Sequence, residues 1–171
     1  MTKLVLSNIF RFVVLIVLQI LLLNYVNFGG YVIPFVYILA VLMLPTRVGN
    51  IPLLLIAFAS GVLVDVFCNI PGFHAFCCTL MAFVRILVGN RMLTRGDPDV
   101  IIDVPSVRTV PFQPFALYLL VMTAVYCIAY CLLEAFSFSN FWITLLAMLL
   151  DTAGTWVLMM LCQLLISSSK K

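Results

Sequence analysis

The chain has 171 residues, of which 65% are hydrophobic and only 9% are charged, with a formal net charge of +3. Soluble domains carry about a quarter charged residues, so the composition excludes an ordinary soluble protein. Since each span needs about 20 apolar residues, little of the chain is left for loops. We therefore predict an all-α integral membrane protein, a compact bundle of six transmembrane helices that forms one domain over 1–171.

The apolar runs predict six spans in chain order. We place them at about 6–26, 31–44, 52–67, 73–89, 115–136 and 141–166. The first reads as an anchored span, because no small-x-small cleavage site follows it. The third and fourth are shorter than a standard crossing, so we expect local thinning of the bilayer or partial embedding there.

The basic residues predict the orientation of these spans. All nine lie in the terminal segments, the even-numbered loops or the adjoining span ends, namely Lys3, Arg11, Arg47, Arg85, Arg91, Arg95, Arg108, Lys170 and Lys171. The opposite loops, near 27–30, 68–72 and 137–140, contain none. Cytoplasmic loops are enriched in Lys and Arg, so we expect both termini in the cytoplasm and the opposite loops outside.

The stretch from Ala57 to Ala75 carries the most informative pattern. Ala57, Gly61 and Asp65 recur every four residues and so share one helix face. In membranes, small residues four apart let a neighbouring helix approach closely. A Pro-Gly break follows, and the next span starts with a histidine in its first turn. The predicted packing motif consists of Ala57, Gly61, Asp65, Pro71, Gly72 and His74.

The predicted topology places an outer polar cluster near one surface, formed by Asp65, Asn69, His74 and Glu134. Two interpretations remain open. Ionisable residues in a membrane are candidates for a proton relay or a ligand site. Alternatively, Asp65 or Asn69 caps the free N–H groups at the start of span four.

Two charged residues lie deep in the predicted spans. Asp151 is about ten residues into span six, roughly 15 Å, and Arg85 is about twelve residues into span four, roughly 18 Å. An unpaired acid there costs about 2.5 to 3.5 kcal/mol. The matched depths predict an intramembrane ion pair. The alternatives are a protonated Asp151 bonded to Thr155 or a helix carbonyl, and an Arg85 that snorkels to the surface.

The segment 90–114 is predicted to be a cytoplasmic loop, because its prolines disfavour a continuous helix. Loops of this length are often functional or disordered, so it is either a solvated connector near lipid headgroups or a docking loop for a partner. Its charged residues are Arg91, Arg95, Asp97, Asp99, Asp103 and Arg108.

Several functional classes find no support in the sequence. Five of the six cysteines fall inside apolar spans, and the chain has a single histidine, so no zinc pattern is formed. Signatures of nucleophilic, metal-dependent or phosphate-binding catalysis do not occur. We expect neither enzymatic activity nor a cofactor, a metal or a nucleic-acid partner; membrane lipid surrounds the protein.

Three motifs resemble the rod-shape-determining protein MreD family of the bacterial inner membrane. The first is Gly61-xxx-Asp65 followed by a short polar step and Pro-Gly-hydrophobic-His-Ala. The second is Glu134-Ala-Phe-Ser-Phe-Ser-Asn-Phe before the last span, and the third is Tyr31-Val-Ile-Pro-Phe. The resemblance covers nearly the whole chain.

This resemblance implies a non-enzymatic scaffold of the cell-wall elongation machinery, which binds the membrane-anchored protein MreC. Through MreC it would be linked to the actin-like protein MreB and to the peptidoglycan polymerase and transpeptidase. MreD-like proteins also resemble the solute-binding (S) subunits of energy-coupling-factor transporters, so a vitamin-transporter subunit is the alternative. Those subunits usually carry an alanine-xxx-alanine face on the first helix, whereas residues 4–28 contain no alanine.

Overall fold

The structure is a computed structural model that describes residues 12–19, 34–70, 72–94, 102–134 and 141–168. Within these ranges the regular structure is entirely helical, and no strand occurs. Four helical stretches of the described chain are long and apolar enough to cross a membrane, namely Asn50–Cys68, Phe73–Thr94, Phe112–Glu134 and Leu145–Leu165. The prediction of an all-α membrane protein is therefore confirmed at this level.

The helices follow the order of the predicted spans. We number them α1 at 12–18, α2 at Ile38–Leu42, α3 at Asn50–Cys68, α4 at Phe73–Val84, α5 at Asn90–Thr94, α6 at Phe112–Glu134 and α7 at Phe141–Ser168. A five-residue π-helical turn, Arg85–Gly89, joins α4 to α5. The boundaries of α3, α6 and α7 lie within three residues of the predicted spans three, five and six.

The connection between α3 and α4 is a tight turn built on two left-handed residues. Asn69 ends α3 with φ of 55°, and its N–H donates to the carbonyl of Asp65. Gly72 precedes α4 with φ of 86°. Asparagine and glycine tolerate this conformation better than other residues, so the turn reverses the chain within a few residues.

Three successive contacts build the bundle: α3 packs on α4, α4 on α6 and α6 on α7. Phe73 at the start of α4 lies near Tyr130 late in α6, whereas Gly89 lies near Tyr118 early in α6. The two helices are therefore antiparallel. We call the end that holds Asn69 and Gly72 the hairpin end, and the end that holds Arg47 and α5 the arginine end.

Residues 34–44, which we call the central segment, differ from the predicted second span. Pro34 and Phe35 are irregular, a turn follows, and α2 has only five residues. Residues 34–43 are all buried. A 14-residue apolar run is more typical of a buried or re-entrant segment than of a full crossing, and a proline within it disfavours a continuous helix. The described part of span two is thus an interior segment.

The arginine end also differs from the predicted loop at 90–114. Helix α5 prolongs span four to Thr94. Residues 102–111 are irregular, but hydrogen bonds hold them against Thr46. The N–H of Thr46 donates to the carbonyl of Asp103 at 2.9 Å, and the Thr46 hydroxyl donates to the carbonyl of Ile102. Ile102 and Val110 in this stretch are buried. The described part of the loop is therefore held against the turn after the central segment.

Candidate functional site

The α3–α4 hairpin closes on a glycine. A Cβ atom at Gly61 would lie 2.4 Å from the Cα of Ala75 and 2.6 Å from the carbonyl oxygen of His74. Both are backbone atoms, so only a residue without a side chain permits this approach. Ala57, one turn earlier, is fully buried. The face predicted from the four-residue spacing thus contacts the start of α4 directly.

Asp65 caps the first turn of α4 from the neighbouring helix. Its Oδ1 accepts the N–H of His74 at 2.9 Å and its Oδ2 accepts the N–H of Ala75 at 3.0 Å. The first N–H groups of a helix lack partners within the helix, and a carboxylate there also interacts favourably with the helix dipole. Of the two capping candidates from the sequence, the structure selects Asp65.

A hydrogen-bonded chain of three side chains lies beside this cap. The hydroxyl of Tyr126 lies 2.5 Å from Nδ1 of His74 and 2.8 Å from the hydroxyl of Tyr37. All three residues are buried, the two tyrosines completely. Buried polar groups are costly unless they are hydrogen-bonded, and here each supplies the partner of another. The chain connects the central segment, α4 and α6.

Phe35 and Tyr130 complete an aromatic cluster around this chain. The ring centroid of Phe35 lies 4.8 Å from that of Tyr130, 5.2 Å from that of Tyr126 and 5.6 Å from that of His74. Tilted and edge-to-face arrangements of this kind are favourable for aromatic pairs. The start of the central segment is therefore fixed by packing as well as by hydrogen bonds.

The side chain of Gln19, which directly follows α1, and that of Thr155 on α7 bind the irregular backbone at the start of the central segment. Gln19 donates its Nε2 to the carbonyl of Pro34 at 3.0 Å, and the N–H of Phe35 donates to Oγ1 of Thr155 at 3.2 Å. Non-helical backbone within a membrane is tolerated only where its polar groups find partners in the protein. Gln19 and Thr155 supply those partners.

Arg85 binds the other end of the central segment. Its Nη1 donates to the carbonyl of Val41 at 2.5 Å and its Nη2 to that of Leu44 at 2.6 Å. The last carbonyls of a helix lack partners and carry partial negative charge. Tyr118 adds a hydroxyl contact of 3.3 Å to the carbonyl of Leu42. The guanidinium is thus held by the end of α2.

The predicted ion pair of Arg85 with Asp151 does not occur among the described contacts of Arg85, whose guanidinium binds these carbonyls instead. Asp151 is buried on α7, on the same face as Thr155. Matched depth places two residues at one level of the membrane, but it does not determine whether their side chains point toward each other. The short α2 lies inside the bundle, and its end offers Arg85 backbone carbonyls that a continuous second span would not leave available.

The predicted outer polar cluster is not one site. Asp65 and His74 are joined through the cap, whereas Glu134 is exposed at the end of α6 and Asn69 is exposed in the turn. Pro71 lies outside the described residues. Only the buried pair therefore belongs to the candidate site.

The predicted docking loop is only partly described. Arg95, Asp97 and Asp99 lie outside the described residues, and Arg91 and Arg108 are exposed. Asp103 forms an ion pair of 2.7 Å with Arg47, in which both side chains are largely exposed. Such pairs contribute at most about 1 kcal/mol, so the docking of this loop depends chiefly on the hydrogen bonds of Thr46 and on buried apolar side chains.

The sequence pattern did not indicate roles for Tyr37, Tyr126, Gln19 and Tyr118, and it indicated Thr155 only as a possible partner of Asp151. Each sits in an apolar run in which a single polar atom carries little weight in a hydropathy pattern. Pro34 inside a short predicted span was the one available signal, since it indicates backbone groups that need other partners. The partners themselves lie up to 120 residues away along the chain.

No family model, curated protein or solved structure matches the chain. Its function must therefore be inferred from the geometry together with the motifs. In the described part of the chain, no group of three or more histidine, cysteine or acidic side chains is arranged to bind a metal ion. What the site demonstrably does is to hold an irregular segment inside a helical bundle.

Proposed function

We propose that the chain is a non-enzymatic membrane scaffold of the bacterial cell-wall elongation machinery. It binds MreC and through it is linked to MreB and to the peptidoglycan polymerase and transpeptidase. The observation that carries this proposal is that the buried polar side chains of the site bind other groups of the same chain. Asp65, His74, Tyr126 and Arg85 all bind groups of the chain itself, so they build the bundle, while broad apolar faces are left outside for partners.

The sequence motifs supply the identity of the machinery. Gly61 and Asp65, the two residues that anchor the resemblance to the MreD family, are also those that close the hairpin. The residues of this motif determine how two helices pack, so their role is structural. A structural role fits a scaffold protein. MreC is the partner that this family resemblance implies.

The topology belongs to the same proposal: six spans in the bacterial cytoplasmic membrane, with both termini in the cytoplasm. The four long helices supply four crossings. Two further crossings precede them in the chain. The stretch around α1 supplies the first span, and the stretch around the central segment supplies the second span, which is interrupted. Interrupted spans occur where surrounding helices satisfy the freed backbone. Arg47, Arg91 and Arg108 at the arginine end support the orientation.

Crosslinking in native membranes, with identification of the partners by mass spectrometry, tests the proposed function. We expect MreC among the products. Recovery of an ATPase module, or binding of a vitamin by the purified protein, would instead favour the solute-binding subunit of an energy-coupling-factor transporter. The topology is tested separately with a cysteine at Ser139 in a cysteine-free background, which an impermeant thiol reagent should label from outside, and one at Ser168, which it should not.

A further inference from the structure

His74 is the only histidine of the chain, and it lies where the central segment, α4 and α6 meet. It occupies the first turn of α4, next to the exposed turn residues Asn69 and Gly72, but its own surface is only 3% exposed. Among side chains with ordinary pKa values, only imidazole changes its charge between about pH 5 and 8. The hydrogen-bonded chain at the hairpin end is therefore built around a group that can change its charge.

Titratable groups face this imidazole from each described element that contacts it. They are Tyr37 of the central segment, Asp65 of α3, Tyr126 and Tyr130 of α6, and Cys77 and Cys78 on α4 itself. Only Asp65 is an acid, and both of its oxygens already accept backbone N–H groups. The described neighbours therefore include no acid that is not already hydrogen-bonded.

The hydrogen bonds of the chain fit the neutral form of His74. Its Nδ1 lies 2.5 Å from the Tyr126 hydroxyl, which lies 2.8 Å from the Tyr37 hydroxyl. An unprotonated Nδ1 accepts from Tyr126, and Tyr126 in turn accepts from Tyr37. In this order each of the two hydroxyl hydrogens has an acceptor, and the single proton of the neutral imidazole lies on Nε2.

Protonation of His74 reverses this order. Both nitrogens of an imidazolium are donors, so Tyr126 must accept from Nδ1 and donate to Tyr37. The hydroxyl hydrogen of Tyr37 then loses its acceptor, and its neighbour the Cys78 thiol accepts hydrogen bonds only weakly. The positive charge is also buried against the rings of Phe35 and Tyr130, where a charge without a partner is costly. Both effects disfavour the protonated form in the folded bundle.

We propose that His74 is an acid-sensitive switch that holds the central segment against α4 and α6. The neutral imidazole accepts the hydrogen bond that orders Tyr126 and Tyr37. A proton on His74 breaks that order and loosens the central segment, while Gly61 and the Asp65 cap keep α3 and α4 together. The switch is a property of the bundle itself and does not depend on the partners of the chain. Under the proposed topology the hairpin end faces outside, so the switch responds to external acidity.

The pH dependence of unfolding in detergent tests the switch, with His74→Asn as the control. Asparagine carries an acceptor oxygen at the δ position and cannot be protonated. The unfolded chain takes up a proton on His74 below about pH 6.5 and the folded bundle does not, so stability falls as the pH decreases. We expect the unfolding equilibrium constant of the wild type, divided by that of His74→Asn at the same pH, to rise about five- to tenfold from pH 6 to pH 5. A ratio that falls, or that changes less than twofold, overturns the proposal.

Backbone amide exchange in the wild type locates the effect and needs no variant. The N–H of Ala40 donates to the carbonyl of Tyr37 within the central segment, whereas the N–H of His74 donates to the carboxylate of Asp65. After correction for the intrinsic pH dependence of exchange, we expect the protection of Ala40 to fall at least fivefold from pH 7 to pH 5. The protection of His74 should change less than twofold. An equal loss at both amides, or no loss at Ala40, overturns the proposal.

Discussion

The α3–α4 hairpin and the central segment are both fixed by hydrogen bonds and close packing, but they are fixed in different ways. The hairpin is local: Gly61, Asp65 and Ala75 lie within fifteen residues of one another, and the contacts form between successive helices. The central segment depends on Gln19, Arg85, Tyr126 and Thr155, which come from four other helical elements. The hairpin can form as a unit, whereas the central segment requires the assembled bundle.

This difference predicts where substitutions have the largest effect. In the hairpin, a single added side chain meets backbone atoms that cannot move separately from their helices. In the central segment the stabilisation comes from several side chains, so each one contributes less to the free energy of unfolding. Four predictions test this difference, in order of decreasing loss of stability.

Gly61→Leu should have the largest effect. The added carbons meet the backbone of His74 and Ala75, so the two helices must separate. We expect a loss of at least about 3 kcal/mol in the free energy of unfolding, at the upper end of overpacking costs. Thermal unfolding in detergent measures it, with Val62→Leu on the exposed face as the control. Similar stability of the two variants would refute the close approach.

Arg85→Met should come second, since it leaves the carbonyls of Val41 and Leu44 without these donors. We expect a loss of about 2 kcal/mol, whereas Arg91→Met on the exposed face of α5 should change little. Combined with Asp151→Asn, the losses should add to within about 0.5 kcal/mol, as for independent sites. A double variant more stable than either single one would show that Arg85 and Asp151 form a pair after all.

Tyr126→Phe removes the hydroxyl between Tyr37 and His74 and keeps the ring. We expect a loss of about 1 kcal/mol, the usual contribution of one buried hydrogen bond. Tyr130→Phe is the matched control, because the Tyr130 ring belongs to the same cluster and its hydroxyl forms no hydrogen bond in the described part of the chain. If the two variants lose the same stability, the cluster acts through packing alone.

Arg47→Ala should have the smallest effect of the four. It breaks the exposed ion pair with Asp103, and exposed pairs are screened by solvent and salt. We expect a change below about 0.5 kcal/mol. Thr46→Val is the comparison, because it removes a hydroxyl bonded to Ile102 and should cost more. A larger loss in Arg47→Ala would mean that the ion pair fixes the loop.

The same division explains how much could be predicted from the sequence. The long helices were predicted closely because their signal is the length of an apolar run. The Asp65 cap was among the predicted alternatives, since the residues it joins are nine and ten positions away. The central segment was predicted as a span, because an apolar run has the same composition whether it contacts lipid or the protein interior.

The chain of Tyr37, Tyr126 and His74 was beyond prediction for a related reason. These residues are separated by 37 to 89 positions, and no spacing rule connects them. Arg85 shows the same limit in another form. Its depth in the membrane could be estimated, but its partner is a pair of backbone carbonyls, and every residue of the sequence carries a carbonyl. Only the folded arrangement places two of them beside the guanidinium of Arg85.

Hydrogen exchange of individual backbone amides in detergent tests most directly whether distant side chains hold the central segment. Thr155→Val removes the acceptor of the Phe35 N–H, and Asp65→Ala removes the acceptors of His74 and Ala75. We expect Thr155→Val to speed exchange at Phe35 at least tenfold and to leave His74 and Ala75 protected, and we expect Asp65→Ala to do the opposite. A Phe35 amide that stays protected in Thr155→Val would mean that distant side chains do not hold the central segment.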